Sequence, residues 1–165
     1  MPPRPRARLA LLVVLLATLM LGAGATTEAL TKRPSAPTLT RHQRIERVIS
    51  IAKHQIGDPW VWGRQGPAAF DCIGLVNYAF RKAHALHLMG GASMSIPSVW
   101  ADFRRHHRAS RSNPHRGDLV IWGGGKHIGI YLGRGKAISA LTSGVRIHGV
   151  HQLTDPLTVY LHLPR

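Results

Sequence analysis

The sequence predicts an α+β fold, with N-terminal helices packed on a small antiparallel β-sheet. Three observations predict it. A helical apolar period follows Thr40, a second apolar stripe starts at Asp71-Cys72, and short strand-like runs separated by Gly-containing turns fill the chain from Gly117 onward. Helices first and hairpin-spaced strands afterwards is the α+β pattern, since a βαβ alternation is absent.

The first helix is announced by Thr40 and Gln43 at capping-box spacing, followed by Ile45, Val48, Ile49, Ala52 and Ile56 at helical period. Gly57 and Pro59 are expected to end it. Trp60 to Phe70 reads as a Gly- and Pro-rich loop. The second helix carries its stripe on Leu75, Val76, Ala79, Phe80 and Ala83. Residues 84–116 give no clear period. Leu119–Trp122, His127–Leu132, Lys136–Ala140, Val145–Val150 and Thr158–Leu163 are the expected strands.

The segment ahead of this domain has a different character. Arg4, Arg6 and Arg8 precede the uncharged apolar run Leu9–Leu21, which is short for a membrane span of about 20 residues. Ala23-Gly24-Ala25 follows in the arrangement read by a signal peptidase. Residues 1–25 are therefore expected to be a signal peptide. Residues 26–40, rich in Thr, Ser and Pro, are expected to be a flexible linker. The folded domain is expected over 41–165, and the protein is expected to be secreted or associated with the cell envelope.

The chain holds 22 Lys and Arg against 7 Asp and Glu, a net charge of +15. Such a charge favours polyanionic partners. Nucleic acid is excluded as the expected partner because the basic residues form no aromatic-basic motif and export removes the chain from it. An anionic wall polymer or membrane surface is the expected partner of the charge. No metal and no cofactor is expected: HExxH is absent, and neither His106-His107 nor His148 with His151 has a clear third ligand.

Cys72 is the single cysteine, so an internal disulfide is impossible and a reactive thiol becomes a candidate. Its position at a helix start favours a thiolate, through unpaired N–H groups and the helix dipole. The same first-turn amides offer an oxyanion site, with Asp71 as N-cap and Gly74 allowing another chain or the substrate close. Among 11 histidines, His127 stands out because it opens the apolar strand His-Ile-Gly-Ile-Tyr-Leu, a rigid place to mount a base.

Four segments occur in order: Pro59-Trp60-Val61-Trp62-Gly63, Phe70-Asp71-Cys72-Ile73-Gly74-Leu75-Val76, Arg116-Gly117-Asp118-Leu119-Val120 and His127-Ile128-Gly129-Ile130-Tyr131-Leu132-Gly133. Together they resemble the NlpC/p-sixty family of cell-wall cysteine endopeptidases over about residues 42–150. The resemblance implies a papain-like fold and cleavage of peptidoglycan stem peptides, usually between D-glutamate and a diamino acid. By position it implies Cys72 as nucleophile, His127 as base and a structural role for Asp118. The third catalytic residue, usually histidine, falls at Ser139. A hairpin with a three-residue loop is expected to set 127 opposite 139, with Thr142 or His148 as substitutes. Trp60 stands where the family often has tyrosine, and Ile73 where serine is common. Trp60, Asp71 and Ile73 are the expected substrate-binding or oxyanion positions. These departures leave a second reading: a weak or inactive peptidase-like module that binds wall polymer.

Overall fold

The computed structural model describes residues 38–165, so the signal-peptide expectation and most of the linker lie outside the described residues. Three helices, α1 (Arg41–Lys53), α2 (Cys72–Lys82) and α3 (Ile96–Arg105), accompany a six-stranded antiparallel sheet. Its strands are β1 (Ala109–Ser110), β2 (Leu119–Trp122), β3 (His127–Gly133), β4 (Lys136–Leu141), β5 (Gly144–Gly149) and β6 (Leu157–Leu161), in the order β1-β6-β2-β3-β4-β5. The α+β class expected from the sequence is the observed one.

The Thr40 capping box forms in full, Gln43 N donating to Thr40 Oγ1 and Thr40 N to Gln43 Oε1. The helix stops earlier than the period of its apolar residues suggests. Gln55 and Ile56 tighten into turns on Ala52 and Lys53, and Gly57 N donates to Val145 O at 2.9 Å. That pairing with β5 draws the chain off the helix axis and leaves Ile56 50% exposed.

The unclear stretch 84–116 contains a short 3-10 turn (Leu86–Met89) and α3, which is capped by Ser95 and has Pro in its first turn. β6 ends two residues before the expected limit because His162 and Leu163 turn toward the buried Asp118 carboxylate. Asp118 Oδ2 accepts from His115 N at 2.7 Å and lies 2.8 Å from His162 Nδ1. Oδ1 accepts from Leu163 N at 3.0 Å. Asp118 thereby ties the C-terminal strand to the start of β2.

Two apolar clusters flank the sheet. The larger joins α1 and α2 to one face through residues such as Ile49, Leu75, Phe80, Ile128, Ile130 and Ile138. The smaller, on the other face, includes Val120, Trp122, Tyr131 and Ala137. Strand periodicity explains the division: even-numbered residues of β3 and β4 meet the helices and odd-numbered ones the opposite side.

Candidate active site

Asp71 builds the start of α2. Its Oδ1 accepts from Gly74 N at 2.6 Å, the N-cap bond, and its Oδ2 accepts from Gly63 N at 2.9 Å. One carboxylate thus fixes both the helix start and the loop that carries Trp60 and Trp62. Gly74 lets that loop lie against the helix, since a Cβ there would overlap the Arg64 carbonyl oxygen. The close neighbour expected at Gly74 is the chain's own loop.

Cys72 is the first residue of α2. Burial is the largest influence on its thiol pKa and pushes it up, and the Asp71 carboxylate adds to this; the backbone amides of Ile128, next to His127 at the start of β3, and of Ile73 act the other way, and the net shift is upward. The helix-start stabilisation read from the sequence is present but outweighed by desolvation.

Cys72 and His127 line one cleft of about 390 Å³, together with Trp60, Trp62, Lys126, Leu141, Thr142 and Asp155. Trp62 is 80% exposed at its rim. Asp71 and Ile73 do not line it: Asp71 is consumed by the two amides, and Ile73 packs against the larger apolar cluster. Trp60, partly buried, does face the cleft.

His127 Nε2 lies 2.9 Å from Ser139 Oγ. The contact expected from the hairpin exists, through a different register. Ile130 pairs with Ile138 and Tyr131 with Ala137, and a bulge around Leu132 precedes the Gly133–Lys136 pair. Ser139 therefore falls opposite Gly129 and diagonal to His127, a separation an imidazole spans readily. Gly129 makes the diagonal possible. A Cβ there would sit 2.9 Å from Ser139 Cβ and 2.7 Å from Ile138 O.

Ser139 is fully buried, and its Oγ also lies 2.8 Å from His148 Nε2. Ser139 thus touches both rings, and Thr142 lines the cleft. Trp122, expected from the sequence only as a strand end, braces the group. Its ring centroid is 5.4 Å from those of both His127 and His148, and its Nε1 donates to Val150 O at 2.7 Å. Its alternation within β2 was the available signal. Burial, with the charge of His148 as a lesser cause, lowers the His127 pKa to about 4. Both shifts favour the uncharged forms, thiol and imidazole.

Away from the cleft, ligand atoms of His115, Asp118 and His162 lie within 4.8 Å of one another. This grouping of potential metal ligands was not anticipated from spacing. Its Asp118 and His162 atoms are engaged in the hydrogen bonds that anchor β6, and His162 Nε2 also lies 2.8 Å from Ser110 Oγ.

Comparison with known proteins places this geometry. The family model described as NlpC/P60 family matches residues 57–157. The chain is 36% identical over 103 residues to "Probable endopeptidase p60" of Listeria grayi, covering 61% of this chain and 19% of that protein. It is 33% identical over 144 residues to "Peptidoglycan endopeptidase RipB" of Mycobacterium tuberculosis, covering 76% of this chain and 55% of RipB. The chain thus spans about a fifth of p60 and about half of RipB. The structure of RipB superposes with a TM-score of 0.54 at 29% identity, over 79% of this chain and 73% of that one. The NlpC/p60 domain of the peptidoglycan hydrolase SagA shares the fold, with a TM-score of 0.56 at 24% identity, over 72% of this chain and 98% of that one.

Proposed function

The chain belongs to the NlpC/P60 family, and we propose that it is an extracytoplasmic cysteine endopeptidase that hydrolyses peptide bonds in peptidoglycan stem peptides. The bond we assign is that between D-glutamate and the diamino acid. One observation carries the reading: the single thiol, at a helix start, and a histidine held from behind by a buried hydroxyl line the same open cleft. The matched relatives named as endopeptidases add the substrate class.

The neutral resting pair sets the chemistry. His127 Nε2 is engaged by Ser139, which leaves Nδ1 as the basic nitrogen. As Cys72 Sγ attacks the scissile carbonyl carbon, its proton passes to His127 Nδ1, and the carbonyl oxygen becomes an oxyanion. The amides of Cys72 and Ile73, at positions without intrahelical acceptors, stabilise that charge. His127 then gives the proton to the leaving amine as the C–N bond breaks, producing a thioester on Cys72. Water, deprotonated by His127, attacks the thioester; the carboxylic product leaves, and the thiol regains its proton. Trp60 and the exposed Trp62 supply apolar walls for the extended peptide. The excess of basic over acidic residues, 22 Lys and Arg against 7 Asp and Glu in the chain, adds attraction to the anionic envelope.

The test is a synthetic peptide, L-alanyl-γ-D-glutamyl-diaminopimelate, incubated with wild type and Cys72→Ala. Cleavage by wild type alone supports the proposal. Equal behaviour of the two proteins, with both binding wall polymer, would make the domain a binding module.

A further inference from the structure

The proposed mechanism needs His127 in one tautomer, with the proton on Nε2 and the lone pair on Nδ1. Two neutral tautomers of imidazole are close in energy, so something in the fold must choose. A lone serine is a poor chooser, because a hydroxyl both donates and accepts. The structure holds a further group behind it.

His148 Nδ1 lies 3.0 Å from the carbonyl oxygen of Gly149. A carbonyl only accepts, so Nδ1 of His148 carries the proton and its Nε2 is an acceptor. Ser139 Oγ, 2.8 Å from that nitrogen, must donate to it. The hydroxyl's lone pairs then face His127 Nε2 at 2.9 Å, which must be the donor. Each bond fixes the direction of the next.

The sheet register explains the placement. His148 pairs with Ala137, so it sits diagonal to Ser139 on the same face, as His127 does from the other side. Ser139 is fully buried, His148 is 9% exposed, and Trp122 packs against both rings.

We propose that His148 is a positioning residue for this site: by accepting the Ser139 hydroxyl proton it holds His127 as the Nε2–H tautomer and so frees Nδ1 for Cys72. The inference rests on reading His127 as the base. It also makes the relay reversible. A proton gained by His148 Nε2 would turn that nitrogen into a donor, and Ser139 would then donate to His127 Nε2 and move the imidazole proton to Nδ1. Protonation of His148 therefore disarms the base without touching the cleft. The charged and titratable groups around it are His127 on β3, Lys136 on β4, Arg146 on its own strand, and Arg134 in the β3–β4 turn. Asp155 acts on the His127 end. Burial, the largest influence, lowers the His148 pKa, and Arg146 lowers it further. The acceptor form thus prevails at neutral pH.

The experiment compares His148→Gln, whose amide oxygen can accept without titrating, with His148→Phe, which keeps a ring against Trp122 but cannot accept. Stem-peptide cleavage and the imidazole ¹⁵N shifts of His127 are read for each, with His127→Gln assigning the resonances. His148→Phe should lower kcat about 5- to 30-fold with KM nearly unchanged, the scale of one lost hydrogen bond in a transition state. His148→Gln should recover most of kcat. Its acid limb should lose one proton's steepness, falling with slope 1 where wild type approaches 2. The ¹⁵N shifts should show the Nε2–H tautomer in wild type and His148→Gln, and a mixture in His148→Phe. Full activity in His148→Phe, or an unchanged His127 tautomer in it, overturns the relay. If wild type fails to cleave any stem peptide, the tautomer readout still decides the relay, because it needs no substrate.

Discussion

Ser139→Ala removes a single oxygen that serves two imidazoles. The deleted Oγ lies 2.9 Å from His127 Nε2 and 2.8 Å from His148 Nε2. Alanine leaves one donor and one acceptor without partners at a fully buried position, and each such group costs about 1–3 kcal/mol. Some of this is regained if the rings relax, so a net destabilisation of about 2 kcal/mol is expected. Catalysis should suffer separately. Without the hydroxyl, His127 populates both tautomers and its imidazolium loses a partner in the transition state, which corresponds to about a 10- to 100-fold fall in kcat. The loss should remain smaller than for Cys72→Ala, since the nucleophile and amides persist. Initial rates on the synthetic stem peptide and urea denaturation of the same preparations provide the two readouts. Ser139→His should do worse than alanine, because the buried site beside Gly129 has no space for a third ring. Wild-type turnover in Ser139→Ala would remove Ser139 from the site.

Other expectations follow from the same geometry. Cys72, its pKa raised by burial, should be alkylated slowly by iodoacetamide at pH 7, with a rate still climbing above pH ~8.5; a plateau already reached at pH 6 would mean a resting ion pair. His127 is held at about 4 against an ordinary 6.5, so the unfolded chain binds the extra proton first. The associated stability is complete above about pH 6.5 and is lost as pH falls toward 4. Denaturation at pH 7 and pH 5 should therefore differ by about 2 kcal/mol from this residue, a difference that His127→Gln should abolish. Gly74→Ala drives a Cβ into the Arg64 carbonyl and should lower both Tm and cleavage by displacing the loop that bears Trp60, at a cost of about 1–3 kcal/mol. Binding to anionic wall preparations should weaken as salt rises; salt-independent binding would dissociate it from the basic surface.

Local signals made much of the fold legible. The Thr40–Gln43 box and Asp71 before Cys72 are cap chemistry acting within one turn, so sequence spacing carries them whole. The strand runs after Gly117 show because both sheet faces are covered and the runs are apolar. α3 was readable too: Ser95 as cap, Pro97, and Ile96, Val99, Trp100 and Phe103 at helical spacing. It was obscured by the Gly- and His-rich residues on either side. β1 has only two residues, too few for any period. The site divided along the same line. Cys72, His127 and the Ser139 contact could be reached from motif and hairpin logic, although Ser139 falls opposite Gly129 and meets His127 on the diagonal. The placement of His148 and Trp122 around Ser139 was less legible: His148 was expected only as a substitute for Ser139 and Trp122 only as a strand end, because their contacts depend on diagonal neighbours across three strands. The competition between desolvation and helix-start amides at Cys72 likewise depends on burial, which spacing does not report.

On the proposed reading, Cys72 and His127 cut stem peptides in the intact wall. The most direct measurement is digestion of purified peptidoglycan by wild type and by Cys72→Ala, followed by mass analysis of the released fragments. Wild type alone should yield muropeptides ending in D-glutamate together with fragments bearing a newly free diamino-acid amine. Identical fragment profiles from the two proteins, or wild-type products cut only in the glycan strand, would contradict it.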